Sequence, residues 1–136
     1  MRATARAPRF IRCSIRGRLL VSPEPISFFG EVDPKTGTIL CRDSPLHGVS
    51  ISGRVLLLPH GRGSTVGSYI LYALARHGAA PKAILAVEAD PVIAVGCIIA
   101  RIPYAYGVPQ DLVKTELNDR EVSVTFGDGR AIIEIM

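Results

Sequence analysis

The sequence predicts a compact mixed α/β fold, and three observations predict it. Residues 54–101 read strand, helix, strand, helix; a period-2 strand precedes them at 11–21; and an Asp-Gly turn between two alternating apolar runs closes the chain at 122–135. At 136 residues with 48% hydrophobic content, the chain matches the common size of one domain with one sizeable core. Residues 1–136 are therefore expected to form a single domain.

From Ile11 to Val21 the odd positions carry Ile, Cys, Ile, Gly, Leu and Val, while Arg12, Ser14, Arg16 and Arg18 alternate with them. Side chains on a strand alternate between its faces, so the arginines form the wet face of a half-buried strand. Ser22-Pro23-Glu24-Pro25 ends it, and Asp33-Pro34-Lys35-Thr36-Gly37 is a turn. Residues 23–50 otherwise read as loop and short strand. Arg54-Val55-Leu56-Leu57-Leu58 is a near-continuous apolar run of the kind buried on both faces of a sheet. After a glycine-rich loop, Ser68 to His77 reads as a helix with Ile70, Leu71 and Leu74 on one face and Gly78 placed to end it. Ala83 to Val87 is a second buried strand. Asp90-Pro91 then supplies a cap and a first-turn proline for a helix to about Arg101. That helix is apolar all round and is expected to be buried. Ala105 to Val108 predicts a short strand, and the hairpin follows.

Several function classes are set aside by composition. The most apolar region, Ala83 to Val108, is broken by Glu88, Asp90, Pro91, Arg101 and Pro103, so no membrane-spanning segment is expected. Six arginines up to Arg18, with no acid before Glu24, superficially suggest a transit peptide, but no apolar signal core follows, and the segment is read as part of the mature chain. Cys13, Cys41 and Cys97 are odd in number and far apart, with no metal-ligand spacing, which argues against a disulfide framework and fits the cytoplasm. A pI near 9.3 would suit nucleic acid, yet no aromatic residues alternate with the N-terminal arginines to stack bases. A mean hydropathy of +0.29 without a membrane span points to surface covered by a partner.

Chemistry concentrates in His60-Gly61-Arg62-Gly63-Ser64-Thr65-Val66-Gly67-Ser68. Glycines let backbone approach a ligand, and the following helix start offers unpaired N–H groups to an anion. The loop is not a nucleotide-binding P-loop, because no lysine lies between 55 and 81, and its glycine spacing is one residue too long for the dinucleotide fingerprint. Arg62 suits a carboxylate or phosphate. Ser64, Thr65 and Ser68 are hydroxyls that either cap the helix or meet substrate. His60 reads as a structural hydrogen-bonding residue sooner than a base. No carboxylate pair or Ser-His-Asp set is assignable, so an enzyme built on this loop lacks part of its machinery.

The run Gly48-x-x-Ile51-x-Gly53-Arg54-Val55-Leu56-x-x-Pro59-x-Gly61-Arg62-Gly63-Ser64-x-x-Gly67-Ser68 resembles the small-subunit family of aconitase X-type enzymes. Ala80-Pro81, Ile102-Pro103, Leu46-His47-Gly48 and Gly30-Glu31-Val32-Asp33-Pro34-Lys35-Thr36-Gly37 extend the likeness over residues 30–103. The first nine residues fall outside this pattern and are expected to be a flexible extension.

The resemblance implies a swivelling β/β/α domain, with mixed, barrel-like strands and two main helices, docked as a heterodimer on a large subunit. That subunit would hold an iron–sulfur cluster, expected to be 4Fe-4S, and this chain would bind no metal. The implied reaction is a hydro-lyase step, dehydration of (R)-5-phosphomevalonate to trans-anhydromevalonate 5-phosphate in an archaeal mevalonate route to isoprenoids. The alternatives are dehydration of cis-3-hydroxyproline or another small hydroxy acid, and a non-catalytic anion-binding module. By motif match, Ser64 is the base that takes a proton from the carbon beside the substrate carboxylate. Gly61, Arg62, Gly63, Thr65 and Ser68 are the expected contacts to a small anionic substrate.

Overall fold

A computed structural model describes residues 1–136. Its backbone is organised around β2 (Cys13–Val21), which belongs to two kinds of sheet at once. Residues Cys13 to Arg18 pair antiparallel with β6 (Glu121–Gly127), whereas Leu19 to Val21 pair parallel with β3 (Val55–Leu58). The order across the sheet is β1-β7-β6-β2-β3-β4-β5, with β1 at Arg2–Arg6, β4 at Ala83–Ala86, β5 at Tyr104–Ala105 and β7 at Arg130–Ile135. Just past β5, Tyr106 bridges Arg6 through two backbone hydrogen bonds of 2.8 Å, which brings the two ends of the sheet together and nearly closes the seven strands into a barrel.

Residues 1–9 therefore are not a flexible extension. Arg2 to Arg6 pair in unbroken register with Glu134 to Arg130, and Ala5 is buried in the barrel interior. Strand β1 occupies the slot between β7 and β5, and without it that slot would leave two unpaired edges.

Alternation builds two cores. Val55 and Leu57 of β3, Ala83 and Leu85 of β4, and Leu19 and Val21 of β2 point into the barrel, where they meet Val122, Val124 and Phe126. Leu56, Leu58 and Ile84 point outward into a second core beneath the helices. That double burial is the reason the strands read as continuous apolar runs. On the antiparallel half only one face is buried, and Arg12, Arg16 and Arg18 lie on the other, solvated one. There Arg12 meets Asp128 at 3.1 Å and Arg16 meets Glu121 at 3.6 Å.

The outer core is roofed by α2 (Gly67–Arg76) and α3 (Pro91–Ala100). Asp90 caps α3, its Oδ1 accepting from Val92 N at 2.8 Å and Ile93 N at 3.3 Å. The helices approach closely because position 96 is glycine: a Cβ there would lie 2.5 Å from Leu71 Cδ1 and 3.1 Å from Ser68 Cα. Within 23–50 the structure adds one irregular turn, α1 (Phe28–Glu31), to the loop and short strand expected there. At the hairpin tip Asp128 and Gly129 have φ of 54° and 78°, the mirror-image turn that an Asp-Gly pair favours.

Helix α3 differs from expectation. Only Ile93, Gly96 and Cys97 are buried, while Val95, Ile98 and Ile99 are exposed. Its apolar composition belongs to a helix with one face on the core and the other open. No helix is long and apolar enough to cross a membrane.

Candidate active site

Parallel strands deliver their carboxyl ends to one edge of the barrel, the place where ligands commonly sit in α/β folds. Here three segments meet at that edge: 22–31 after β2, 59–66 after β3 and 87–90 after β4. The loop at 59–66 lies between the other two, and its glycines account for the fit. Gly61 forms a parallel bridge with Ile26, and a Cβ on it would lie 2.6 Å from Asp90 Oδ2. Gly63 has φ +85°, and a Cβ there would meet Ser27 Oγ at 2.5 Å. Gly67 sits against Val92, whose Cγ1 would be 3.0 Å away.

Between these anchors, residues 62 to 66 are all exposed. The Ser64 hydroxyl oxygen accepts a hydrogen bond from Val66 N at 3.1 Å, and Gly67 N bonds back to the Ser64 carbonyl at 3.0 Å. The Val66 N–H, at the N-cap position of α2, turns its partial positive hydrogen toward the serine oxygen. The first N–H groups of α2 are already used in this turn, since Gly67, Ser68 and Tyr69 donate to Ser64, Thr65 and Val66. Unpaired N–H groups sit one step earlier, on Gly63, Ser64 and Thr65, which donate to no protein acceptor. An anion would thus meet the loop itself, not the helix end.

Arg62 is anchored by a residue to which the sequence assigned no chemistry. Its Nη2 lies 2.5 Å from Glu31 Oε2, its backbone N–H donates to Ile26 O at 3.1 Å, and its Nε reaches Pro25 O at 3.4 Å. Glu31 is fixed in turn, because its Oε1 accepts from Ser27 N at 2.8 Å. The guanidinium is half exposed, so part of its donor fork faces solvent. Glu31 lay within the matched run at 30–37, but nothing local linked it to an arginine 31 positions later.

The remaining candidates divide. Thr65 is exposed at the lip of a groove between α2 and α3. Ser68 is buried at the groove floor and donates its hydroxyl proton to Val92 O at 2.8 Å, so its donor is spent joining the two helices. His60 Nδ1 lies 2.6 Å from the Gly61 carbonyl, a local backbone contact. His77 bonds Ala73 O at the far end of α2, and His47 is exposed on a separate turn.

Cys13 is exposed on β2, Cys41 is half-buried and Cys97 is buried under α3; no three His, Cys, Asp or Glu side chains gather. Burial pushes the Cys97 thiol far above its ordinary range. Tyr104, behind the same helix, is pushed up to about 12, chiefly by desolvation.

The arrangement is thus an exposed serine oxygen polarised by a backbone N–H, next to three free N–H groups and a tethered guanidinium. These can bind an anion and hold a proton-accepting oxygen, but nothing here activates a leaving group.

Comparison with known proteins gives a consistent result. A family model described as "Aconitase X swivel domain" matches residues 4–135. The chain is 50% identical over 106 residues to a phosphomevalonate dehydratase small subunit of Pyrococcus abyssi, covering 78% of this chain and 82% of that one. It is 47% identical over 115 residues to the protein of the same name from Methanothermobacter thermautotrophicus, covering 85% and 88%. Among solved structures it resembles the holo-form of Thermococcus kodakaraensis aconitase X, with a TM-score of 0.85 and 38% identity over 98% of both chains.

Proposed function

Because the chain belongs to the aconitase X swivel domain family, we propose that it is the small subunit of a two-chain phosphomevalonate dehydratase and contributes Ser64 as the base. The observation that carries this reading is the Val66 N–H directed at Ser64 Oγ at 3.1 Å on an exposed edge. A serine hydroxyl is a weak base unless its alkoxide is stabilised, and N–H groups fixed in place beforehand supply that stabilisation without reorganisation. In the proposed step Ser64 Oγ takes the proton from the carbon beside the substrate carboxylate. The C–H electron pair becomes the new double bond as the hydroxyl on the next carbon departs.

Arg62 and the N–H groups of Gly63 to Thr65 hold an anionic group of the substrate; Gly61 lets the loop lie against Asp90. The leaving hydroxyl is assisted from the large subunit, on which the proposal places the iron–sulfur cluster, because no cysteine set in this chain can hold one.

The test is turnover of (R)-5-phosphomevalonate by this chain reconstituted anaerobically with its large subunit, comparing wild type with Ser64→Ala. Loss of kcat by a factor of about 10³ or more, with assembly and KM retained, supports the assignment. Survival of activity moves the base elsewhere. A wild-type complex that ignores this substrate but dehydrates cis-3-hydroxyproline overturns the substrate and keeps the reaction class.

A further inference from the structure

Helix α3 has ten residues and not one polar side chain. Its inner face packs on α2 and the outer core through Ile93, Gly96 and Cys97. The outer face is left to water: Val95 is 51% exposed, Ile98 53% and Ile99 42%. Tyr69 of α2, at 68%, extends this surface on one side and Phe10, at 69%, on the other. A groove of about 430 Å³ lies along one flank of α3, between Tyr69, Val95 and Ile99, and an apolar cleft of about 230 Å³ lies along the other, between Phe10 and Ile98. A continuous apolar strip of this kind marks an interaction surface, whereas single exposed apolar residues do not.

Its chemistry and position choose the occupant. A membrane-surface helix carries lysine and arginine on its polar face, and a nucleic-acid site needs several cations; α3 contains neither lysine nor arginine, and Arg101 at its C-terminal cap is the single cation lining the two hollows. Thr65, from the candidate active-site loop, forms the lip of the same groove. The groove runs on from Thr65 to Tyr69, Val92 and Val95, so a chain that covers the loop from this side meets them next. We infer that the outer face of α3, flanked by Tyr69 and Phe10, is the docking surface for the large subunit, an apolar face adjoining the Ser64 loop. This rests on the proposed function, in that the partner is the chain that completes the loop's site. Water excluded by that contact would also be excluded from the loop's edge, where the polarised serine oxygen benefits most.

The experiment measures binding of the large subunit to wild type, to Val95→Glu, to Ile98→Glu, and to Thr125→Glu on the exposed face of β6 as a control. All three positions are exposed, and circular dichroism and thermal melts establish that each variant folds. Binding weakened at least 100-fold in Val95→Glu and Ile98→Glu, with Thr125→Glu unchanged, is the expected result. Wild-type affinity in both α3 variants, alongside an active wild-type complex, overturns the docking surface and leaves the proposed function standing. Failure of wild type itself to bind or turn over overturns the proposed function and this inference with it. Loss of self-association in the α3 variants with large-subunit binding intact overturns the inference in favour of a contact between copies of this chain.

Discussion

Glu31 grips Arg62 from the other side of the carboxyl edge, 2.5 Å between Oε2 and Nη2, and is itself held by the Ser27 N–H. The acid therefore sets where the guanidinium points. Glu31→Gln keeps a hydrogen bond to Ser27 and loses the charge. In the reconstituted enzyme it is expected to raise KM about 10-fold, equivalent to about 1.4 kcal/mol, with a smaller change in kcat. Steady-state kinetics separates the two; an unchanged KM would remove Arg62 from substrate binding or Glu31 from its control.

Gly61 and Asp90 are coupled through space. A Cβ at position 61 would meet Asp90 Oδ2 at 2.6 Å and Ile93 Cγ1 at 3.1 Å. Gly61→Ala should cost about 1–3 kcal/mol by forcing the α3 cap aside. Asp90→Ala should cost about 1 kcal/mol by losing the bonds to Val92 N and Ile93 N. Part of the Gly61→Ala penalty is collision with the very group that Asp90→Ala removes, so the double variant should be less destabilised than the sum. Denaturant unfolding of the four proteins tests this, and strict additivity would contradict the contact.

Deletion of residues 1–6 should open the barrel. It removes five β1–β7 pairs, the Arg6–Tyr106 seam and the buried Ala5. A loss of about 3 kcal/mol is expected, lowering Tm by on the order of 10 °C for a chain of this size. A melt that matches the full-length protein would count against closure by β1.

Cys97 makes stability depend on alkaline pH. Burial raises its thiol above the ordinary 9.0, so the folded state keeps a proton that the unfolded chain releases. Stability is complete below pH 9 and falls above it, by up to about 1.4 kcal/mol per pH unit for one proton. Unfolding midpoints at pH 8, 9 and 10 should show this slope in wild type and a shallower one in Cys97→Ala. Equal slopes would mean that Cys97 titrates alike in both states.

Local signals in the sequence were good guides, and distant ones were absent. The Asp-Gly hairpin, the alternation in β2, the Asp90-Pro91 helix start and the doubly buried β3 and β4 are each written within a few neighbouring residues, and the fold contains all of them. Strand β1 was illegible because its alanines and arginines have weak strand preference and its partner, β7, lies at the other end of the chain. For α3, composition could not distinguish a helix buried in its own core from one with an outer face open, since both exclude polar side chains.

The loop divides the same way. Its glycines, its arginine and its helix start were readable, but Ser27, Glu31 and Asp90, which pack against it, arrive from the segments that follow β2 and β4. Burial of Ser68 was equally hidden, because its acceptor, Val92 O, belongs to the next helix.

Closure of the sheet through Arg6 and Tyr106 also bears on the life of the subunit before assembly. An open seven-stranded sheet would offer a template along its rim, to which another polypeptide could add and begin a fibril. With Arg6 and Tyr106 hydrogen-bonded to each other, part of that rim is already occupied. A stray strand then finds less of an edge on which to add.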